Sequence, residues 1–322
     1  MYRHWRRLRH AEYWIFAQIT FALLRVLRRL PAHAAIDFMD RAARRVGPWL
    51  GRHKVAMRNL RAAFPEKSEA ELQQIAIGMW GNMARLVAEY VFLEQIFDYV
   101  PDVEDPGLVE IDGRPRFDRL VAENKASDAA GEKRRARIFF TAHTGNFELM
   151  PIGAAAYGLE VTALFRPPNN PYIAAEVLKA RLTTMGGLIP SKAGAVSALA
   201  NILSEGGSVG MLIDQYFYGG PEVDFFGQKC PTSPLLPRLA RQFDCDIYPT
   251  RCIRLPGGGY RLQLMEKIEL PRNDKGKIDI EASCQMLNDI AEGWIREYPD
   301  QWMWFHKRWK VWKMKNGKMV SV

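Results

Sequence analysis

The chain has 322 residues, 48% of them hydrophobic, with 45 Lys and Arg against 36 Asp and Glu, a net charge of +9. That length and composition exclude an intrinsically disordered chain and allow one large domain or two smaller ones. The charge is uneven, because residues 1–61 hold fourteen cations against three acids, and Lys307, Arg308, Lys310, Lys313, Lys315 and Lys318 close the chain without an acid. Basic ends around a net acidic middle suit an anionic surface, either lipid headgroups or nucleic acid.

An arginine-rich start, Met1–His10, precedes the apolar run Tyr13–Leu24, which extends to Leu27 as 15 residues. Such a helix is about 23 Å long, short of a bilayer core of about 30 Å. Tyr13 and Trp14 suit a membrane interface, and Arg25, Arg28 and Arg29 suit headgroups, so residues 1–30 read as a shallow or single-pass anchor. A buried core helix is the alternative. No small-residue cleavage site follows the run, which argues against a removed signal peptide.

Residues 31–105 read as a helical extension. Ser68-x-x-Glu71 is a capping-box start for a helix carrying Leu72, Ile75, Ala76 and Met79. From residue 106 the texture becomes α/β, with short apolar runs Leu108–Ile111, Ile138–Thr141, Leu159–Phe165, Val209–Ile213, Ile247–Ile253 and Tyr260–Leu264 between helical stretches. Ala126–Arg137 reads as a surface loop. No internal repeat or long linker interrupts the chain, so residues 106–322 form the core, continuous with 31–105. The cysteines Cys230, Cys245, Cys252 and Cys284 form no CxxC pair and read as reduced thiols, which favours a cytosolic redox environment.

The candidate chemistry begins at Thr141-Ala142-His143-Thr144-Gly145-Asn146-Phe147-Glu148. An imidazole and a carboxylate lie five positions apart where a strand ends and a helix begins, the place where ligands gather in an open α/β sheet. Glu148 reaching back to His143 would fix the tautomer of a general base, and backbone N–H groups near Gly145 and Asn146 would stabilise an oxyanion. The bland alternative is a hydrogen-bonding residue at a strand end and a favourable charge in a first helical turn. Arg166, just past a strand, suits a phosphate or a developing negative charge, or is an exposed loop cation. Asp214-Gln215 closes another strand with polarity suited to a site, or caps a loop. Phe225-Phe226 offers bulk for an acyl-chain wall, or for the core. No serine or cysteine sits in a nucleophile elbow.

These segments, in this order, together with Asn59-Leu60, Ala63-Phe64-Pro65-Glu66 and the tail Gln301-Trp302-Met303-Trp304-Phe305-His306-Lys307-Arg308-Trp309, resemble the late lipid A acyltransferases, the lauroyl/myristoyltransferase family of lipopolysaccharide biosynthesis. The resemblance covers nearly the whole chain. It implies a glycerolipid-acyltransferase-like mixed sheet flanked by helices, behind a membrane-anchoring extension at the cytoplasmic face of the cell inner membrane. It implies transfer of an acyl chain from acyl carrier protein to a hydroxyacyl hydroxyl of a Kdo-bearing lipid A precursor, with no cofactor and no metal. His143 matches the family's base and Glu148 its acidic partner, while Arg166, Asp214 and Gln215 match supporting positions. Two departures stand out: the residue near Asn146 often differs in the family, and the anchor here is short and interrupted by Arg25. The rival readings are a non-catalytic basic protein of membrane surfaces or nucleic acid, for which Trp302, Trp304, Trp309 and Trp312 would be the stacking platform, and a lipid esterase.

Overall fold

In the computed structural model, which describes residues 2–100, 107–184, 186–309, 312–315 and 318–321, helices fill the chain as far as Ile96. They are α1 (Tyr2–Leu27), α2 (Ala32–Val46), α3 (Gly51–Ala63), α4 (Glu69–Glu89) and α5 (Leu93–Ile96). The boundary at 105/106 and Lys310 fall outside the described residues, as do the side chains of Trp312, Lys313, Lys315 and Lys318. The capping box forms as expected: Ser68 Oγ accepts from Glu71 N–H, and Glu71 Oε2 accepts from Ser68 N–H at 2.8 Å. Two orphan donors of the α4 amino terminus are thereby satisfied, and Leu72, Ala76 and Met79 turn into the main core.

Helix α1 is longer than the apolar run because the arginine-rich residues join it. Its 26 residues would extend about 39 Å. Yet no helix among the described residues is both long and apolar enough to cross a membrane. One face holds Ala17 and Leu27, and Leu27 packs with Ala35 and Ile36 of α2. Asn170 Nδ2 ties the middle of the helix by donating to the Tyr13 carbonyl at 2.8 Å. Ile15, Phe16, Ile19, Leu23 and Val26 form an exposed apolar stripe along the helix, and Trp14 is also exposed.

The rest of the chain is a mixed α/β layer. Its strands are β1 (Val109–Asp112), β2 (Ala136–Thr141), β3 (Val161–Phe165), β4 (Leu188–Pro190), β5 (Ser208–Leu212), β6 (Glu222–Phe225), β7 (Gln228–Pro231), β8 (Cys245–Arg254), β9 (Tyr260–Leu264), β10 (Trp312–Lys315) and β11 (Lys318–Ser321). The helices between them are α6 (Arg114–Ala130), α7 (Leu149–Ala156), α8 (Pro171–Thr184), α9 (Ala195–Ser204), α10 (Leu235–Gln242) and α11 (Ile280–Glu297). Seven strands form one sheet in the order β1-β9-β8-β2-β5-β3-β4, parallel throughout except for the β8–β9 pair. At its centre, β2 is buried along almost its whole length, which suits its apolar Ile138-Phe139-Phe140, and its one charge, the buried Arg137, is paired with Glu123 and Asn124. β9 alternates buried Tyr260, Leu262 and Leu264 with half-exposed Arg261 and Gln263, a strand with one covered face. β6 and β7 form a separate hairpin, as do β10 and β11.

Three sequence expectations change. The supposed loop Ala126–Arg137 contains the last turn of α6 and the start of β2, since α6 buries only Phe117 and Leu120 and so shows almost no apolar periodicity. The tryptophans Trp302, Trp304 and Trp309 are buried in the main core against Phe225 and Phe226, so their rings offer no stacking platform to nucleic acid. Arg308, read as part of a surface cluster, is fully buried, its guanidinium donating to the Pro231 carbonyl, Thr232 Oγ1 and Asn288 Oδ1. Asn59 Nδ2 fastens this tail to α3 by donating to the carbonyls of Trp304 and His306, both at 2.8 Å.

Candidate active site

Parallel register brings the reacting groups together. Thr141 of β2 faces Leu212 of β5, so two residues past each strand end His143 meets Asp214. The His143 N–H donates to Asp214 Oδ2 at 3.0 Å, and ring Nδ1 lies 2.8 Å from Asp214 Oδ1. Trp302 Nε1 also donates to Asp214 Oδ2, at 2.6 Å. Burial by itself would push the Asp214 carboxyl up, but the His143 charge and the hydrogen bonds from the His143 ring, the Trp302 indole and the His143 amide outweigh it. The carboxyl is held well below the usual range and stays ionised. An ionised acceptor at Nδ1 keeps the proton there and leaves Nε2 as the unprotonated nitrogen. Gln215 Nε2 sits 3.1 Å from that nitrogen, and the Phe147 ring packs edge-on to the imidazole.

A buried scaffold holds the loop that follows. Gly145 has φ of 57°, and a Cβ there would meet the Cys252 carbonyl oxygen at 2.3 Å, so only glycine fits. Its N–H donates to the Gln301 carbonyl at 3.1 Å, while the Gln301 side chain clasps both the N–H and the carbonyl of Arg254 at 2.9 Å. Asn146 is fully buried; its Nδ2 donates to Glu89 Oε2 at 2.9 Å and its Oδ1 accepts from Glu148 N–H at 3.2 Å. Glu89, itself without exposed surface, also accepts from Tyr260 OH at 2.6 Å and from Arg254 Nη1. Removing one side of such a buried ion pair costs about 3–5 kcal/mol, so the pair makes the loop rigid.

This scaffold corrects the oxyanion expectation at Gly145. Its amide is spent on Gln301, and that of Asn146 is turned to the buried Cys252 thiol, so these groups hold the loop and do not face a substrate. The carboxylate at His143 Nδ1 is that of Asp214, which the sequence placed among supporting residues. Glu148 is buried just ahead of α7 and lines a cavity of about 100 Å³. The other walls include Phe139, Phe147, Met150, Ala163, Phe165 and Met211, nearly all apolar. Arg166 is exposed directly after Phe165. Phe225 and Phe226 do not line this cavity: they pack in the core with Trp302, Trp304 and Trp309 because the β6–β7 hairpin folds back onto α11 and the tail.

Sequence reasoning missed Glu89, at the end of α4, and Arg254 and Tyr260, which face each other across the β8–β9 turn some 165 positions further on. Trp302 and Gln301 carried one signal, their place in the tryptophan-rich tail. Burial pushes the thiols of Cys245 and Cys252 up to about 12 and that of Cys284 to about 11, and raises Cys230, so no cysteine is primed as a nucleophile.

Residues 2–311 match the family described as bacterial lipid A biosynthesis acyltransferase. The lipid A biosynthesis lauroyltransferase of Escherichia coli (strain K12) is 23% identical over 306 residues, covering 92% of this chain and 89% of that protein. The lipid A biosynthesis myristoyltransferase of the same strain is 24% identical over 320 residues, covering 95% and 90%. Lipid A biosynthesis acyltransferase 1 of Shigella flexneri is likewise 24% identical over 320 residues. With the match running from α1 to the tryptophan-rich tail, the chain belongs to the bacterial lipid A biosynthesis acyltransferase family.

Proposed function

We propose that this protein transfers a fatty acyl chain from an acyl carrier protein thioester to a hydroxyacyl hydroxyl of a Kdo-bearing lipid A precursor, with His143 as general base. The observation that carries this is the His143–Asp214 pair, in which an ionised carboxylate at Nδ1 leaves Nε2 free to take a proton. The acceptor hydroxyl loses its proton to Nε2 as its oxygen attacks the thioester carbonyl. The tetrahedral oxyanion collapses with cleavage of the C–S bond, and the imidazolium returns the proton to the leaving thiolate. Asp214 takes the tautomer-fixing role first read for Glu148, and Glu148 is a second site carboxylate beside the acyl chain. Arg166 is assigned to a phosphate or carboxylate of the substrates, a role its exposed position supports.

The apolar cavity beside Phe147 supports an acyl seat. Its volume is below the roughly 150 Å³ that accommodates one benzene ring, so a longer chain must move wall side chains, and Met150 and Met211 are the most deformable of these. Ala163→Leu is expected to shift preference toward shorter chains, by about fourfold in kcat/KM for each excluded methylene. Competition between acyl thioesters of different length measures this; an unchanged order of preference would move the seat elsewhere.

The exposed apolar face of α1, flanked by Arg25, Arg28 and Arg29, supports association with the cytoplasmic face of the cell inner membrane as an interfacial helix. Replacing Phe16, Ile19 and Leu23 by serine is expected to lower partition onto vesicles containing anionic lipid at least about 100-fold, since each side chain contributes about 1.5–3 kcal/mol when buried. Flotation with the vesicles unaffected by these changes would remove α1 as the contact. The activity itself is tested by incubating purified protein with acyl carrier protein thioesters and lipid A precursor. Acylated lipid is the expected product; free fatty acid alone would make the protein an esterase.

A further inference from the structure

We infer that Gln215 is a specificity-determining cap on the base, donating an amide N–H to His143 Nε2 so that a lipid hydroxyl, and not water, displaces it and becomes the nucleophile. The inference rests on acyl transfer by His143. The geometry is a nitrogen–nitrogen contact of 3.1 Å between Gln215 Nε2 and His143 Nε2. An amide nitrogen donates and does not accept, so the imidazole nitrogen facing it carries no proton. This agrees with the Nδ1 proton being held by Asp214. The lone pair that must receive the hydroxyl proton is therefore already satisfied by the protein.

The residues on either side of the cap are held by hydrogen bonds, whereas the Gln215 side chain is only half-buried. Asp214, the residue before, accepts three hydrogen bonds, and Tyr216, the residue after, donates its N–H to His306 Nε2 at 3.4 Å. Gln215 itself is half-buried, and Phe217 and Tyr218 beyond it are exposed. Rotation of the side chain removes the donor without moving Asp214. A half-turn of the amide would instead present its oxygen to Nε2–H, so the same residue accommodates the imidazolium once the proton has moved.

The discrimination follows from what each nucleophile gains. A water molecule that displaces the amide exchanges one donor at Nε2 for another and strands the amide, so it gains nothing. A lipid hydroxyl arrives attached to a headgroup and chains whose remote contacts supply the binding energy for displacement, and it is held at high effective concentration. Either nucleophile forms a C–O bond to the thioester carbonyl carbon as the C–S bond breaks. In both cases the hydroxyl proton passes through Nε2 to the thiolate, giving ester plus thiol from the lipid and carboxylic acid plus thiol from water.

The test uses Gln215→Leu, which keeps the volume and loses the donor, and Gln215→Asn, which retracts the amide by one methylene. Each is given a dodecanoyl pantetheine thioester with and without the hydroxyacylated lipid. Fatty acid release without acceptor, and the ratio of free acid to acylated lipid with it, are both expected to rise about tenfold, the effect of one hydrogen bond. Release at or below the wild-type rate in the folded variants would overturn the cap. Nitrogen-15 spectra of the wild-type ring supply a check that needs no variant: a proton-free Nε2 at neutral pH is expected, and a protonated Nε2 with bare Nδ1 would overturn it. A wild-type protein that releases acid but acylates no lipid would count against the acyl-transfer reading, and the cap with it. Normal wild-type transfer with unchanged hydrolysis in the variants counts against the cap alone.

Discussion

Asp214→Asn is expected to lower kcat about 10³- to 10⁴-fold with little change in KM. The amide matches the carboxylate in shape but can accept through only one atom, and the His143 amide and the Trp302 indole both donate to Oδ2, favouring the oxygen at that position. If the oxygen stays there, the NH₂ group faces Nδ1 and drives the ring proton to Nε2, so the imidazole can no longer take one from a hydroxyl. The same tautomer error in a serine-protease triad costs about 10⁴ in kcat. Glu148→Gln, by comparison, is expected to cost at least about tenfold less. If Glu148→Gln proved the more damaging, the tautomer-fixing role would return to Glu148.

The same carboxylate has a pH signature. Its folded pKa is depressed below the unfolded value of about 3.9, so its contribution to stability is full above about pH 4 and is lost as pH falls toward the folded value. Stability measured against pH should therefore fall more steeply on the acid side in the wild type than in Asp214→Asn, which keeps the smaller contributions of other paired carboxylates.

His143→Ala is expected to lower transfer about 10³-fold, within the 10²–10⁴ typical of a positioned base. The loss should fall on kcat, because the imidazole takes the proton only in the transition state. Truncation leaves Asp214 Oδ1 buried without its partner, a destabilisation of about 1–3 kcal/mol. His143→Gln keeps a donor near that oxygen and should be equally inactive yet closer to wild-type stability. Wild-type turnover in either variant, measured as acylated lipid, would remove His143 as the base.

The sequence made the strand-to-helix junction at His143 legible because a continuous apolar run such as Ile138–Thr141 has few alternatives to a central strand, and the capping box at Ser68 is equally local. Six of the seven strands in the main sheet were placed to within a few residues. The short β4 was not, since three residues carry no period. The partner of His143 was harder to read. Glu148 is near in sequence, but Asp214 is near in space, and only the β2–β5 register, which a sequence does not print, makes residues 71 positions apart neighbours. Phe225-Phe226 illustrates the same difficulty: two aromatics suit an acyl wall or a core equally well until the tryptophans of the tail are brought to them. Glu89 ends α4, where nothing in the local pattern marks a charge as buried. Its burial depends on Arg254, Tyr260 and Asn146, each supplied by another segment.

The central claim is direct transfer to the lipid by a His143 base without a covalent acyl-enzyme, in line with thiols raised by burial and no serine in a nucleophile elbow. Intact masses of protein and lipid, sampled through a single turnover with an acyl carrier protein thioester, test it most directly. The acyl mass should pass to the lipid in the wild type, stay on the donor with His143→Ala, and never be found on the protein. An acylated protein that then decays into product, or a lipid whose mass never changes, would contradict it.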